Sequence, residues 1–204
     1  MIYVMLGGPA TGKGTRSEIL SDKLNIPHIS TGKILRIAAE RNNDINEKIT
    51  NGELIPDEVV NEILYTRLIK QDCKNGFILD GYPRKIEQVY ALEAMMRKLN
   101  MKITQVIELV VPEEIVYQRV LGRRECSECG KSFGIDFPSI NGDYCDECGG
   151  RLVVRSDDTK ETVKKRIDTY TILSKPILEY YKKRGMLRTV DSSSHPRTVL
   201  DMLK

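Results

Sequence analysis

Residues 2–6 form an unbroken apolar run that stops at Gly7, Gly8 and Pro9. Residues 12–24 then place Ile19, Leu20 and Leu24 on one side of a helical period, so the pattern predicts strand, glycine-rich turn, helix. Short apolar runs recur at 77–79, ending at Asp80, at 106–111, ending at Pro112, and at 187–190, ending at Asp191. Helical stretches are predicted between them at 57–70, 87–99, 112–121 and 159–181, the last with a bend near Pro176. A loop at 192–194 precedes a final predicted helix at 196–203. Strands alternating with helices predict an α/β fold, a parallel sheet with helices on both faces. Met95 and Met96 fall on this pattern as core filler. Two stretches break it: 30–55 reads as a small helical excursion, and 122–158 is rich in turn residues and cysteines. Both are expected to be insertions.

A length of 204 residues, 40% hydrophobic and 30% charged, fits one core with small inserted lobes. The net charge of +3, from 32 basic and 29 acidic residues, is spread without a tail or block. That spread gives little support to a nucleic-acid or membrane surface. No apolar run approaches the roughly 20 residues that span a bilayer, and the opening residues read as a strand, so a cytoplasmic protein with no membrane partner is expected. His28 and His195 show no ligand or triad spacing, and Cys73 is expected to be an inert buried hydrophobe.

Gly7 to Lys13 satisfies GxxxxGK between a predicted strand and helix, the context that gives this motif meaning. Glycines let backbone N–H groups face phosphate oxygens at a helix amino terminus, and Lys13 can reach the β and γ phosphates. The hydroxyl comes one place late, at Thr15 after Gly14, as in nucleoside monophosphate kinases. In FILDGYPR, residues 77–84, the strand ends in Asp80, a position from which phosphate-loop proteins hold magnesium. Gly81 follows it, where a hydrolytic ATPase often has glutamate, which favours transfer over hydrolysis.

Cys126, Cys129, Cys145 and Cys148 form two CxxC pairs, CSECG and CDECG, separated by fifteen residues. Paired knuckles of this kind suit one tetrahedral zinc, with iron as the alternative, and four thiolates leave no open coordination position for catalysis. A nucleic-acid ribbon is disfavoured because residues 130–144 carry one basic residue, Lys131, beside Asp136 and Asp143. Phe133, Phe137 and Tyr144 are expected to form the core of this lobe, which is too small to hold its shape without metal.

Taken with the phosphate loop, ISTGKILR (29–36), GELIPDEVV (52–60), LDGYPRKIEQ (79–88), RVLGRR (119–124) and RSDD (155–158) run in the order found in adenylate kinases. Over essentially its whole length the chain resembles that family. The resemblance implies a phosphate-loop core at 1–29, 56–121 and 159–204, an AMP-binding lobe at 30–55 and a lid at 122–158. It implies ATP and AMP or ADP as partners, Mg2+ with ATP, structural Zn2+ in the lid, no nucleic acid, and a monomer. Ala10, Thr11, Gly12, Lys13, Gly14 and Thr15 would cradle ATP, with Arg119, Arg123, Ser132 and Phe133 over it and Ser193 near the base. Thr31, Arg36, Arg84 and Gln88 would hold AMP, with Glu53, Leu54, Ile55, Gly81, Tyr82 and Pro83 lining its pocket. Arg155 and Arg166 would lie between the nucleotides, Asp80 would position magnesium, and lid closure would exclude water so that AMP is the acceptor.

Phosphoryl transfer between two anions needs in-line positioning and neutralised charge, and arginine supplies a permanently charged, bidentate fork. Six arginines, at 36, 84, 119, 123, 155 and 166, occupy the matching positions. The chain departs from the family at Lys33, where the family motif has an aspartate thought to help order magnesium-bound water. Lys33 is a candidate phosphate contact or the mark of a weakly active nucleotide-binding paralogue. A kinase for another nucleoside monophosphate is the remaining alternative.

Overall fold

The computed structural model describes residues 1–155 and 157–193. The helix expected at 196–203, together with Ser194 and His195, lies outside the described residues. Strands β1 (Ile2–Gly7), β2 (His28–Ser30), β3 (Phe77–Asp80), β4 (Gln105–Val110) and β8 (Leu187–Asp191) build one sheet in the order β2-β3-β1-β4-β8, every pairing parallel. Three short strands, β5 (Arg124–Cys126), β6 (Ser132–Phe133) and β7 (Leu152–Val153), form a separate antiparallel sheet in the segment 122–158.

Period-two alternation explains why helices are needed on both faces. Ile2, Val4 and Leu6 of β1 and Phe77 and Leu79 of β3 pack into one core with Leu64, Leu68, Val89, Leu92 and Ile177. These partners come from α4 (Asp57–Leu68), α5 (Ile86–Lys98) and α7 (Lys160–Lys183). The intervening Tyr3, Met5 and Ile78 face the other way, against Leu20 of α1 (Lys13–Leu24). Each fully buried aliphatic side chain here contributes roughly 1.5–3 kcal/mol relative to exposure.

The four expected core strands and five expected helices of the described region are present, with ends shifted by one or two residues. Helix α7 continues through Pro176. The excursion at 30–55 resolves into α2 (Thr31–Ala39) and α3 (Asn43–Thr50). Ser30 caps α2 by accepting from the Lys33 N–H, and Asn42 caps α3 through the Asp44 and Ile45 N–H groups. The short strand β2 was not anticipated. Helix α6 (Glu113–Leu121) leads into β5.

One expectation for the cysteine-rich lobe is corrected. Phe133 is buried with Cys126 and Cys145, but Tyr144 is 58% exposed. Its neighbour Cys145 turns inward, so Tyr144 points out, and the knuckle sulfurs take the place an aromatic core would have filled.

Candidate active site

The carboxyl ends of β1, β2 and β3 open into a cavity of about 600 Å3, the crevice where doubly wound sheets hold ligands. Gly12 enters α1 at φ 80°, a conformation glycine adopts freely, and a side chain there would run into the Arg16 guanidinium. Ala10, at φ 51°, takes the same left-handed region despite its methyl group. The turn thus points the first N–H groups of α1 toward the cavity, lined by Ala10, Thr11, Gly12, Lys13, Gly14 and Thr15. The Lys13 ammonium donates to the Gly7 and Gly8 carbonyls at 2.8 and 2.7 Å. Burial pushes its pKa down to about 8, against the opposing pull of Asp80.

Asp80 ends β3 inside this cavity, its carboxylate 3.5 Å from His28 Nε2. Burial alone would raise the Asp80 carboxyl, but His28 and Lys13 hold it below the ordinary carboxylate range. The spacing rule gave His28 no role, yet β2 pairs with β3 and sets it beside this carboxylate. One ionised carboxylate beside a phosphate loop fits magnesium, which is held by one or two carboxylates and the substrate's phosphates. Glu18 lines the same cavity, and burial raises its carboxyl.

Arg36, Arg84, Arg119, Arg123, Arg155 and Arg166 all line the main cavity. Burial and the neighbouring Arg123 and Arg36 press the Arg155 pKa down to about 10, a sign of converging positive charge. Five of these arginines already hold carboxylates. Arg119 Nε meets Asp136 at 2.5 Å, Arg123 grips Asp158, Arg166 pairs with Asp157, and Arg36 and Arg155 share Glu125. Arg84 instead donates from Nε to the Gly81 carbonyl at 3.0 Å. These carboxylate partners were not singled out from sequence.

A smaller adjoining pocket of about 60 Å3 is lined by Thr31, Arg36, Glu53, Leu54, Ile55, Gly81, Tyr82, Arg84, Gln88 and Arg166. Thr31 Oγ1 donates to the Asp80 carbonyl at 2.9 Å, tying α2 to the end of β3. Gln88 accepts from the Arg84 N–H at 2.7 Å and donates to Asp57 at 2.8 Å, so its amide is fixed at the pocket wall. Tyr82 turns its hydroxyl to Asn61 at 2.6 Å, while Pro83, after a cis peptide, lines the main cavity. Ser132 and Phe133 line the main cavity too, with Ser132 Oγ accepting from Arg155 at 2.8 Å.

Ser193 does not line either cavity; its N–H caps the Asp191 carboxylate at 2.8 Å. The carbonyl before it is the engaged group: Ser192 O accepts from Arg16 at 3.1 Å and from Arg119 at 2.9 Å. Lys33 lines the cavity, and its ammonium donates to the Cys129 carbonyl at 2.6 Å.

The four cysteine sulfurs lie within 4.8 Å of one another. Cys126 and Cys148 sulfurs are 3.4 Å apart and those of Cys129 and Cys145 3.6 Å, near the roughly 3.8 Å edge of a tetrahedron with Zn–S bonds of about 2.3 Å. Both knuckles repeat one hydrogen-bond pattern. The Glu128 N–H donates to Cys126 Sγ and the Gly130 N–H to the Cys126 carbonyl; Glu147 and Gly149 do the same for Cys145. The Cys129 N–H is the main group holding the Cys126 thiol down at about 6, whereas burial pushes the Cys129 thiol up to about 12, so the fit to a metal rests on the sulfur geometry. The set fits a closed structural metal centre.

Cys73 is buried, with Arg67 Nη1 3.0 Å from its sulfur. No helix among the described residues is long and apolar enough to cross a membrane.

Comparison with known proteins gives the same family. The adenylate kinase family model matches residues 5–186. The chain is 46% identical over 194 residues to an adenylate kinase of Caldicellulosiruptor saccharolyticus, covering 93% of this chain and 90% of the relative. It is 41% identical over 207 residues to one from Clostridium tetani, covering 98% and 95%, and 43% identical over 198 residues to one from Archaeoglobus fulgidus, covering 95% and 91%. With a parallel phosphate-loop sheet, two adjoining pockets sharing arginines, and this likeness along most of its length, the chain belongs to the adenylate kinase family.

Proposed function

We propose that this protein transfers the γ-phosphoryl group of ATP to the α-phosphate of AMP, reversibly, giving two ADP, in nucleotide homeostasis and salvage. The observation that carries the reading is the pair of adjoining pockets whose common wall holds Arg36, Arg84 and Arg166. ATP lies along the loop 7–15 with Lys13 on its phosphates; AMP occupies the smaller pocket with its base toward Gln88. Arg84, Arg123, Arg155 and Arg166 neutralise the charge shared by the transferring group, the main demand of this chemistry. Asp80 would hold Mg2+, which would supply further charge neutralisation at the phosphates.

Residues 30–55 act as the AMP lobe and 122–158 as a lid, whose four cysteines would hold Zn2+ to fix its shape. The thiolate set without disulfides agrees with a reducing, cytoplasmic setting, and the protein acts as a monomer. The test is an acceptor panel: with Mg-ATP, AMP is expected to give ADP at least about a hundredfold faster, in kcat/KM, than UMP, CMP or GMP. That preference would be the size of a lost pair of buried hydrogen bonds. Tight binding of both nucleotides with no ADP formed would instead support the paralogue reading.

A further inference from the structure

The departure from the family pattern at residue 33 has a partner. Lys33, in the first turn of α2, donates from Nζ to the carbonyl of Cys129, the second ligand-type residue of the first knuckle, at 2.6 Å. Gly130 beside it has φ 69°, and a Cβ there would lie 3.1 Å from Lys33 Cε and 3.4 Å from Nζ. The lysine stem therefore rests on bare backbone. The same helix carries Arg36, 3.6 Å from Glu125 on the strand that enters that knuckle, and Thr31, bonded to the end of β3.

These two bridges from α2 differ in what competes with them. Arg36 meets a carboxylate, and a nucleotide phosphate draws on the same guanidinium. Lys33 meets a neutral peptide carbonyl instead, so its bridge ties up no carboxylate. Four thiolates around a divalent ion also leave net negative charge at the knuckle, which attracts an ammonium and repels a carboxylate.

We propose that Lys33 is a positioning residue: it latches the metal knuckle of the lid to α2 when the lid lies over the cavity, coupling lid position to the AMP lobe. This rests on the lobe assignment proposed above.

The experiment uses the full, metal-loaded chain with non-cysteine spin labels at Ile140, 89% exposed in the cysteine-rich segment, and at Glu47, exposed on α3, read by pulsed electron resonance. Without nucleotide, K33R is expected to keep the wild-type share of the short distance. K33M and K33D shift to longer ones, the closed-to-open ratio falling about tenfold, as for one charge-assisted hydrogen bond. Adding AMP with a non-transferable ATP analogue restores the short distance in every variant. Metal content and melting temperature matching wild type show that the shift is not misfolding, and K33L, which carries no donor, replaces K33M if that variant fails to fold. Identical nucleotide-free distributions in wild type and K33M, with metal bound and nucleotides still shortening the K33D distance, overturn the latch alone. A distance that neither nucleotides nor substitution changes overturns the lobe assignment with it.

Discussion

The Arg36 guanidinium of α2 lies 3.6 Å from the Glu125 carboxylate of β5, and Arg155 binds that same carboxylate. Glu125 thus occupies two cations that the proposed function assigns to the nucleotides. Substituting Glu125→Gln removes the competing charge while keeping the shape, so the KM for AMP is expected to fall about threefold, the scale of a partly exposed ion pair. Initial rates at saturating ATP measure it; an unchanged or higher KM would mean that Glu125 orients the arginines rather than competing for them.

Lys13 gives a pH signature. With its pKa near 8 in the free protein, Lys13 loses its proton above that pH, whereas ATP phosphates bind the protonated form. ATP affinity should therefore weaken by about tenfold per pH unit as pH rises beyond about 8, until the pKa in the complex is reached. Calorimetric titration between pH 7 and 9.5 checks this. The sign for stability is opposite: between about 8 and the unfolded value of 10.5 the unfolded chain binds the extra proton, so stability rises with pH across that window. K13M should abolish both trends; a wild-type affinity flat to pH 9.5 would contradict the lowered pKa.

Metal removal is the third case. The segment 122–158 has three short strands and one small core around Cys126, Phe133 and Cys145, so it is expected to depend on a bound ion in a way the five-stranded sheet does not. Elemental analysis should find one ion per chain. Chelation under reducing conditions, or Cys126→Ser, should open trypsin sites at Lys131 and Arg151 while the rest of the chain resists. The rate should fall by about a hundredfold, the cost of misplacing groups around a reacting centre. Unchanged melting and proteolysis with all four thiols reactive would exclude a structural ion.

The elements most legible in the sequence are those whose cause is local. β1 and α1 follow from an apolar run, glycines and a helical period within 24 residues, and the cysteine knuckles from CxxCG spacing. β2 escaped because three residues hold no period, and β6 and β7, with two each, exist only as pairings made by the knuckles. The carboxylates on the arginines were illegible for another reason. Arg119 reaches Asp136 across 17 residues and Lys33 reaches Cys129 across 96, and neither separation leaves a pattern in the chain. Tyr144 was misplaced because an aromatic in a small lobe suggests core until the sulfurs are seen to fill it.

The carboxylates on Arg36, Arg119, Arg123, Arg155 and Arg166 also bear on turnover. On the proposed function, a nucleotide entering the cavity exchanges one set of anions for another instead of meeting bare guanidinium groups. When ADP leaves, Glu125, Asp136, Asp157 and Asp158 would take the arginines back. Such an exchange would limit how tightly the site holds its own product, and a kinase that runs in both directions needs a site free to empty.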